Sequence, residues 1–207
     1  MPKHKRDNST YTQKVHLRQR ALEVLAEQGV DAPVVMETHG GAGKLFDKVY
    51  AHLKRGVAFE KNSSKVARLG LQRPTWAVYE ADCVAALQGG VGGHVAVDLL
   101  DIDPYGECWL AVDAFFGSDR PFVPRMVIVV NDGLRQSLSL GKAWAVGSMR
   151  RMVERFGNDL HPVYLEVCEV LLKEKAAEAG YTVSRFHGYY CGYSQANTHF
   201  LAVLERG

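Results

Sequence analysis

The chain has 207 residues, of which 47% are hydrophobic and 23% charged, with a formal net charge of +2. This is ordinary globular composition, long enough for one domain with a full core, and the overall charge does not advertise a polyanion partner. No apolar run approaches the roughly 20 residues a bilayer requires, and the N-terminus lacks the apolar centre of a signal peptide, which points to a soluble cytoplasmic protein with no membrane partner.

Residues 1–20 carry six Lys or Arg and one acid, Asp7. Such a basic arm fits either contact with nucleic acid or a solvated lead into a helix. The helix is expected from Tyr11 to Gln28, with Val15, Leu22 and Leu25 at helical spacing. A first strand is expected in PVVMET (33–38), followed by the loop HGGAGK and a helix from Leu45 to Leu53. GVAFE (56–60) reads as a second strand, followed by a helix that Asn62 or Ser63 can cap. TWAVYE (75–80) is the third strand, with a short helix over DCVAALQG. The run HVAVDLLDI (94–102) is the fourth, with GECWLAVDAFFG as its helix, and RMVIVVND (125–132) is the fifth. Helical patterns follow in GKAWAVGSMRRMVERFG and in PVYLEVCEVLLKEKAAEAG, the latter stopping at Gly180. YTVSRFHGYYCGY and THFLAVLE are two further strands. Only SQAN separates them, so they should pair as an antiparallel hairpin.

This alternation predicts an α/β fold: a Rossmann-like, seven-stranded, mostly parallel sheet flanked by helices and ending in an antiparallel hairpin. The expected organisation is a basic arm and helix over residues 1–30 and a single domain over 31–207, with a helical insertion at about 133–159. Ligands in such sheets bind at the carboxyl ends of the strands. There the first strand runs into Glu37-Thr38-His39-Gly40-Gly41-Ala42-Gly43, whose glycines allow close backbone approach to a ligand. The second strand ends in Glu60, where a carboxylate can accept two ribose hydroxyls. The third is followed by Asp82, placed to accept from an adenine amino group. A glycine loop with a downstream acid also describes an NAD site. Against it, Glu37 would repel a pyrophosphate while suiting a positively charged amino-acid moiety, and the terminal hairpin is unlike a dinucleotide fold.

From about Pro33 onward the sequence resembles the class I S-adenosylmethionine-dependent methyltransferases. Glu37-x-x-x-Gly41-x-Gly43 looks like that family's first motif, Glu60 like its ribose-binding acid and Asp82 like its adenine-side acid. His39 departs from the pattern, which usually has glycine there. The resemblance implies S-adenosylmethionine as cofactor, held by Glu37, His39, Gly41, Gly43, Glu60, Lys61, Asp82, Cys83 and Asp101.

The fourth strand ends in Asp103-Pro104-Tyr105-Gly106. An exocyclic amine on a base is a poor nucleophile because its lone pair is delocalised into the ring. A carboxylate and a backbone carbonyl that accept its N–H hydrogens help to localise that pair. Proline leaves its own carbonyl free and fixes the chain direction. An aromatic next to it can stack on a flat base, worth about 1–3 kcal/mol per base. The same four residues also suit a plain turn capping the next helix. DIDPYGECWLAVDAFF resembles the fourth motif of tRNA guanine-N2 dimethyltransferases over roughly sixteen residues. By that resemblance Asp103 holds the amine, Pro104 offers its carbonyl and Tyr105 stacks. Asp101 either shares the face of Asp103 or caps the helix.

These readings converge on an S-adenosylmethionine-dependent N-methyltransferase acting on an exocyclic amino group of a nucleic-acid base, RNA (including tRNA) ahead of DNA. The alternatives are a protein or small-molecule methyltransferase with the same cofactor site, or a non-catalytic module that retains the fold to bind RNA or a partner. Lys142, Arg150, Arg151 and Arg155 would form either a phosphate-tracking rim or a solvated helix face. Trp144, Tyr189, Tyr190 and Tyr193 would either frame a base or pack in the core. The sequence NDG (131–133) reads as a turn or as pocket lining. The eight histidines show no metal-ligand spacing, so no metal is expected. Oligomeric state and target base are left open.

Overall fold

The computed structural model describes residues 10–139 and 146–207. Seven strands form one sheet in the order β3-β2-β1-β4-β5-β7-β6. They are β1 (Val35–Glu37), β2 (Gly56–Glu60), β3 (Ala77–Glu80), β4 (Leu99–Ile102), β5 (Arg125–Asp132), β6 (Tyr181–Cys191) and β7 (Asn197–Arg206). The first five are parallel, and β7 runs antiparallel to both β5 and β6. The expected mixed sheet with its reversed terminal pair is therefore present. The carboxyl ends of β1 to β5 and the β6–β7 turn all face one end of the molecule.

Side chains alternate across this sheet with period two. Met126, Ile128 and Val130 of β5 join Phe200, Ala202 and Leu204 of β7 in one core, packed by α3 (Cys83–Gln88), α4 (Trp109–Phe116) and α7 (Tyr164–Glu178). Val127, Val129, Leu201 and Val203 point the other way, onto α1 (Tyr11–Glu27) and a π-helical segment, Phe46–Tyr50. Two-sided burial explains why these strands read as unbroken apolar runs. The remaining helices are α2 (Ser63–Gln72), α5 (Leu134–Ser139) and α6 (Arg150–Phe156). Among the described residues no helix is long and apolar enough to cross a membrane.

Three elements differ from expectation. The fourth strand begins at Leu99, not His94, because its neighbour β1 is only three residues long and pairs Val35 with Leu99. Ahead of that register the chains are tied by the Asp98 amide to the Val34 carbonyl (3.0 Å) and by the Val34 amide to the Asp98 carboxylate (2.8 Å). The helix expected over Leu45 to Leu53 is a π-helical turn that buries Phe46, Val49 and Tyr50 together. Finally, α1 buries Leu17, Ala21, Val24 and Leu25, and with them Arg18. Val15 and Leu22 are only partly buried. The first nine residues, Lys142 and Trp144 lie outside the described residues.

Candidate active site

The tips of β3, β2, β1 and β4 converge on His39. Its imidazole lies within electrostatic reach of Asp103, Asp82, Asp101 and Glu60, and burial nevertheless lowers its pKa and keeps it neutral. The ring links three elements. Cys83, whose thiol burial pushes up to about 12, lies 3.7 Å from His39 Nε2. Nδ1 sits 2.8 Å from Thr38 Oγ1, which donates to the Asp101 carbonyl at 3.2 Å. A protonated thiol donating to Nε2 leaves Nδ1–H to donate to Thr38, so every group in the chain is satisfied. His39 thus stitches the β1 loop to α3 and β4.

The glycine loop is pinned to β2 by the Gly40 amide, which donates to the Phe59 carbonyl at 2.8 Å. Gly43 has φ +75°, and a Cβ there would run into Gln72. The flexible end of Gln72 could move aside, but the positive φ disfavours any side chain, which keeps glycine here. A Cβ at Gly41 would meet only the His39 carbonyl, at 3.9 Å, which leaves open space above the loop.

Glu60 and Asp82, at the tips of β2 and β3, are held locally. Glu60 accepts from the Asn62 amide at 2.9 Å and has Lys65 at 3.7 Å. Asp82 caps α3, accepting from the amides of Val84 (3.1 Å) and Ala85 (3.3 Å). Lys61 is exposed beside Glu60. Glu37 is turned inward, 4% exposed, with Arg73 at 2.6 Å. Burial pushes its carboxyl up to about 8 against the pull of that guanidinium. Arg73 in turn lies over the Phe46 ring, 4.3 Å from its centre.

Asp101 and Asp103, at the tip of β4, are held from afar. Both oxygens of Asp101 are bound by Arg18, at 2.6 and 2.5 Å, and the Tyr50 hydroxyl donates to one of them at 2.9 Å. Asp103 accepts from Lys14 Nζ at 2.5 Å, with Arg18 3.5 Å from its other oxygen. Burial alone would raise the Asp103 pKa, but Arg18 and Lys14 outweigh it and hold the carboxyl below its ordinary value. The Asn131 amide adds to this without aligning as a full hydrogen bond. Asp103 is therefore an ionised, acceptor-only group.

Neither Asp101 nor Asp103 caps the following helix. That task falls to Glu107, which accepts from the amides of Trp109 (2.7 Å) and Leu110 (3.2 Å). The turn reading of Asp-Pro-Tyr-Gly does not account for the acids. Pro104 is partly buried and Tyr105 is fully exposed. Gly106, at φ +134°, turns its carbonyl to accept from the Gly133 amide at 2.7 Å, tying this motif to the end of β5. Asp132 of NDG is structural: it caps α5 through the Leu134 amide and accepts from the buried Tyr164 hydroxyl.

Of the aromatic residues, Tyr189 donates to the Gln13 carbonyl at 3.3 Å, and Tyr190 accepts from the Leu165 amide and lies under Arg135. Tyr193 is exposed at the β6–β7 turn. Arg151 pairs with Glu174, and Arg155 stacks on Phe156. Among the described residues no cluster of three or more His, Cys, Asp or Glu could hold a metal ion. Sequence reasoning missed Lys14, Arg18, Tyr50, Arg73 and His199, while Asn131 lay within the NDG stretch read as a turn or as pocket lining. A signal for two of them exists: Lys14, Arg18, Ala21 and Leu25 fall at i, i+4, i+7 and i+11, one stripe that turns from apolar to cationic.

A doubly wound sheet with acidic strand tips and a reversed last strand defines the fold of the S-adenosylmethionine-dependent methyltransferases. Trm1 from Pyrococcus horikoshii, solved with S-adenosyl-L-methionine, aligns with a TM-score of 0.63 at 12% identity over 95% of this chain. The chain spans 56% of that structure's length. TYW2 of M. jannaschii, solved with AdoMet, aligns at 0.59 and 16% identity, covering 99% of this chain and 80% of that one. The N-methyltransferase NodS from Bradyrhizobium japonicum aligns at 0.60 and 14% identity, covering 97% and 98%. No protein-family model matches the sequence, and no curated protein matches it at the sequence level.

Proposed function

We propose that this protein is an S-adenosylmethionine-dependent methyltransferase that methylates an exocyclic amino group of a nucleic-acid base, RNA ahead of DNA. The observation that carries this reading is Asp103: an ionised carboxylate at the tip of β4, two residues before a fully exposed Tyr105.

The residues present fit the cofactor. A Cβ at Gly41 would meet only the His39 carbonyl, which leaves room beside the loop, and the nearby strand tips carry the carboxylates Glu60 and Asp82, acceptors of the kind that ribose hydroxyls and an adenine amine require. Glu60 would hold the ribose, with Lys61 beside it. Asp82 and Cys83 would flank the adenine at the start of α3. Gly41, Gly43, His39 and Glu37 would shape the amino-acid end, and Asp101 backs that wall from within. When bound, S-adenosylmethionine supplies an electrophilic methyl group on a sulfonium. The cofactor-bound neighbours support this assignment, and the N-methyltransferase NodS supports a nitrogen acceptor.

On the acceptor side, Asp103 accepts one N–H hydrogen and the Pro104 carbonyl the other, which turns the nitrogen lone pair out of the base plane. Tyr105 stacks on the base, worth about 1–3 kcal/mol. Orientation, more than proton transfer, lowers the barrier. The test is mass spectrometry of nucleosides after incubation with undermethylated bulk RNA and DNA. A methylamino nucleoside formed only with S-adenosylmethionine is the expected product, and its absence from both polymers rejects the reading.

A further inference from the structure

The candidate acceptor seat is already filled by a residue of the chain itself. Lys14 Nζ donates to Asp103 at 2.5 Å, the bond that the acceptor amine needs. The two cations on Asp103 are not equivalent. Arg18 is fully buried, pinned to Asp101 by two hydrogen bonds and to the Lys14 carbonyl by a third, at 3.0 Å. It cannot leave. The Lys14 side chain is a quarter exposed, lies on the first turns of α1 and has a flexible four-carbon stem.

Those first turns are fixed at the mouth of the site. The Tyr11 hydroxyl donates to the Lys44 carbonyl beyond the glycine loop (3.1 Å), and Tyr189 donates to the Gln13 carbonyl. The backbone under Lys14 stays in place while its ammonium can swing. Drawing an ammonium off a carboxylate costs least where another anion receives it. A neutral amine brings none, whereas a nucleotide brings its phosphate beside the base.

We propose that Lys14 is a specificity-determining residue that exchanges partners, leaving Asp103 to the acceptor amine and taking the acceptor nucleotide's phosphate. This rests on the reading of a nucleic-acid base as acceptor. With Lys14 away, Arg18 remains as the fixed counter-charge that keeps Asp103 ionised. Acceptors without a phosphate must compete with a tethered ammonium, so the site selects nucleotides over nucleosides before any base is read.

The test is calorimetric binding of AMP, GMP and CMP against adenosine, guanosine and cytidine, with S-adenosylhomocysteine present. The wild type is expected to prefer at least one monophosphate over its nucleoside by roughly tenfold or more, the worth of a charge-assisted contact. K14M should bring that ratio close to one and bind the nucleoside at least as tightly as the wild type. K14R, which keeps the cation, should retain the preference. A wild type that binds both forms equally, or neither, overturns the exchange. So does a K14M that weakens both in parallel, or a K14R that behaves as K14M. The methyltransfer reading fails separately, through the nucleoside mass spectrometry.

Discussion

The tips of β2 and β3 and the tip of β4 are built by different means. Glu60 and Asp82 sit at the tips of β2 and β3, and their partners are amides two or three residues away. Asp101 and Asp103, at the tip of β4, are held by Arg18 and Lys14, 83 and 89 residues distant in the chain. Local amide donors stabilise a carboxylate while leaving it open to a ligand. Distant cations fix a buried charge and make it depend on the packing of a separate helix. The tips of β2 and β3 should therefore tolerate mutation as a surface does, and the tip of β4 as a core does.

Four measurements sharpen or break that contrast. The largest effect is expected from Asp103→Asn, which removes the charged acceptor and should cut methyl transfer by roughly 10²–10³-fold, the scale of losing one preorganised electrostatic contact. Cofactor affinity by calorimetry should stay within about twofold. Loss of both together would place Asp103 in the scaffold, not in the reaction.

Next comes Arg18→Met. It strands Asp101 in the interior and should destabilise the fold by about 3–5 kcal/mol in urea titration. A cost below about 1 kcal/mol would mean that the acid pair does not depend on α1.

His199 provides a third measurement. It is buried on β7, facing Asn131 across the sheet and near Tyr189. Burial, reinforced by Lys14 and Arg18, lowers its pKa to about 4 from 6.5, against the pull of Asp103. The unfolded chain then takes up this proton first as pH falls. Stability from His199 is full above about 6.5 and is lost progressively down to about 4. The loss is on the order of 3 kcal/mol. In His199→Gln, stability measured from pH 7 to pH 4 should fall less steeply by that amount, and an unchanged slope would mean that His199 is not held neutral by burial.

The smallest effect on the fold is expected at the tip of β2. Glu60→Ala should weaken S-adenosylmethionine binding about tenfold while changing stability by no more than about 1 kcal/mol. Unchanged affinity would refute the ribose role.

The sequence alone determined the order of elements and the identity of the strand tips. Apolar runs of β length, punctuated by glycine, proline and capping residues, fix where strands end. In a parallel sheet all those ends fall on one side. The hairpin of β6 and β7 was legible because SQAN is too short for a crossover. The cap at Asn62 was legible because its bond spans two residues, whereas Asp82, read only as an adenine-side acid, also caps α3.

Tertiary structure alone decided what neutralises Asp101 and Asp103. Arg18 reads as a solvated helix residue until the sheet places α1 over β5 and β7. The inward turn of Glu37 toward Arg73 and the link through His39 and Cys83 have the same origin. Local pattern sets backbone conformation, because its hydrogen bonds are short-range in sequence. Burial and charge pairing across eighty residues are set only when the elements pack.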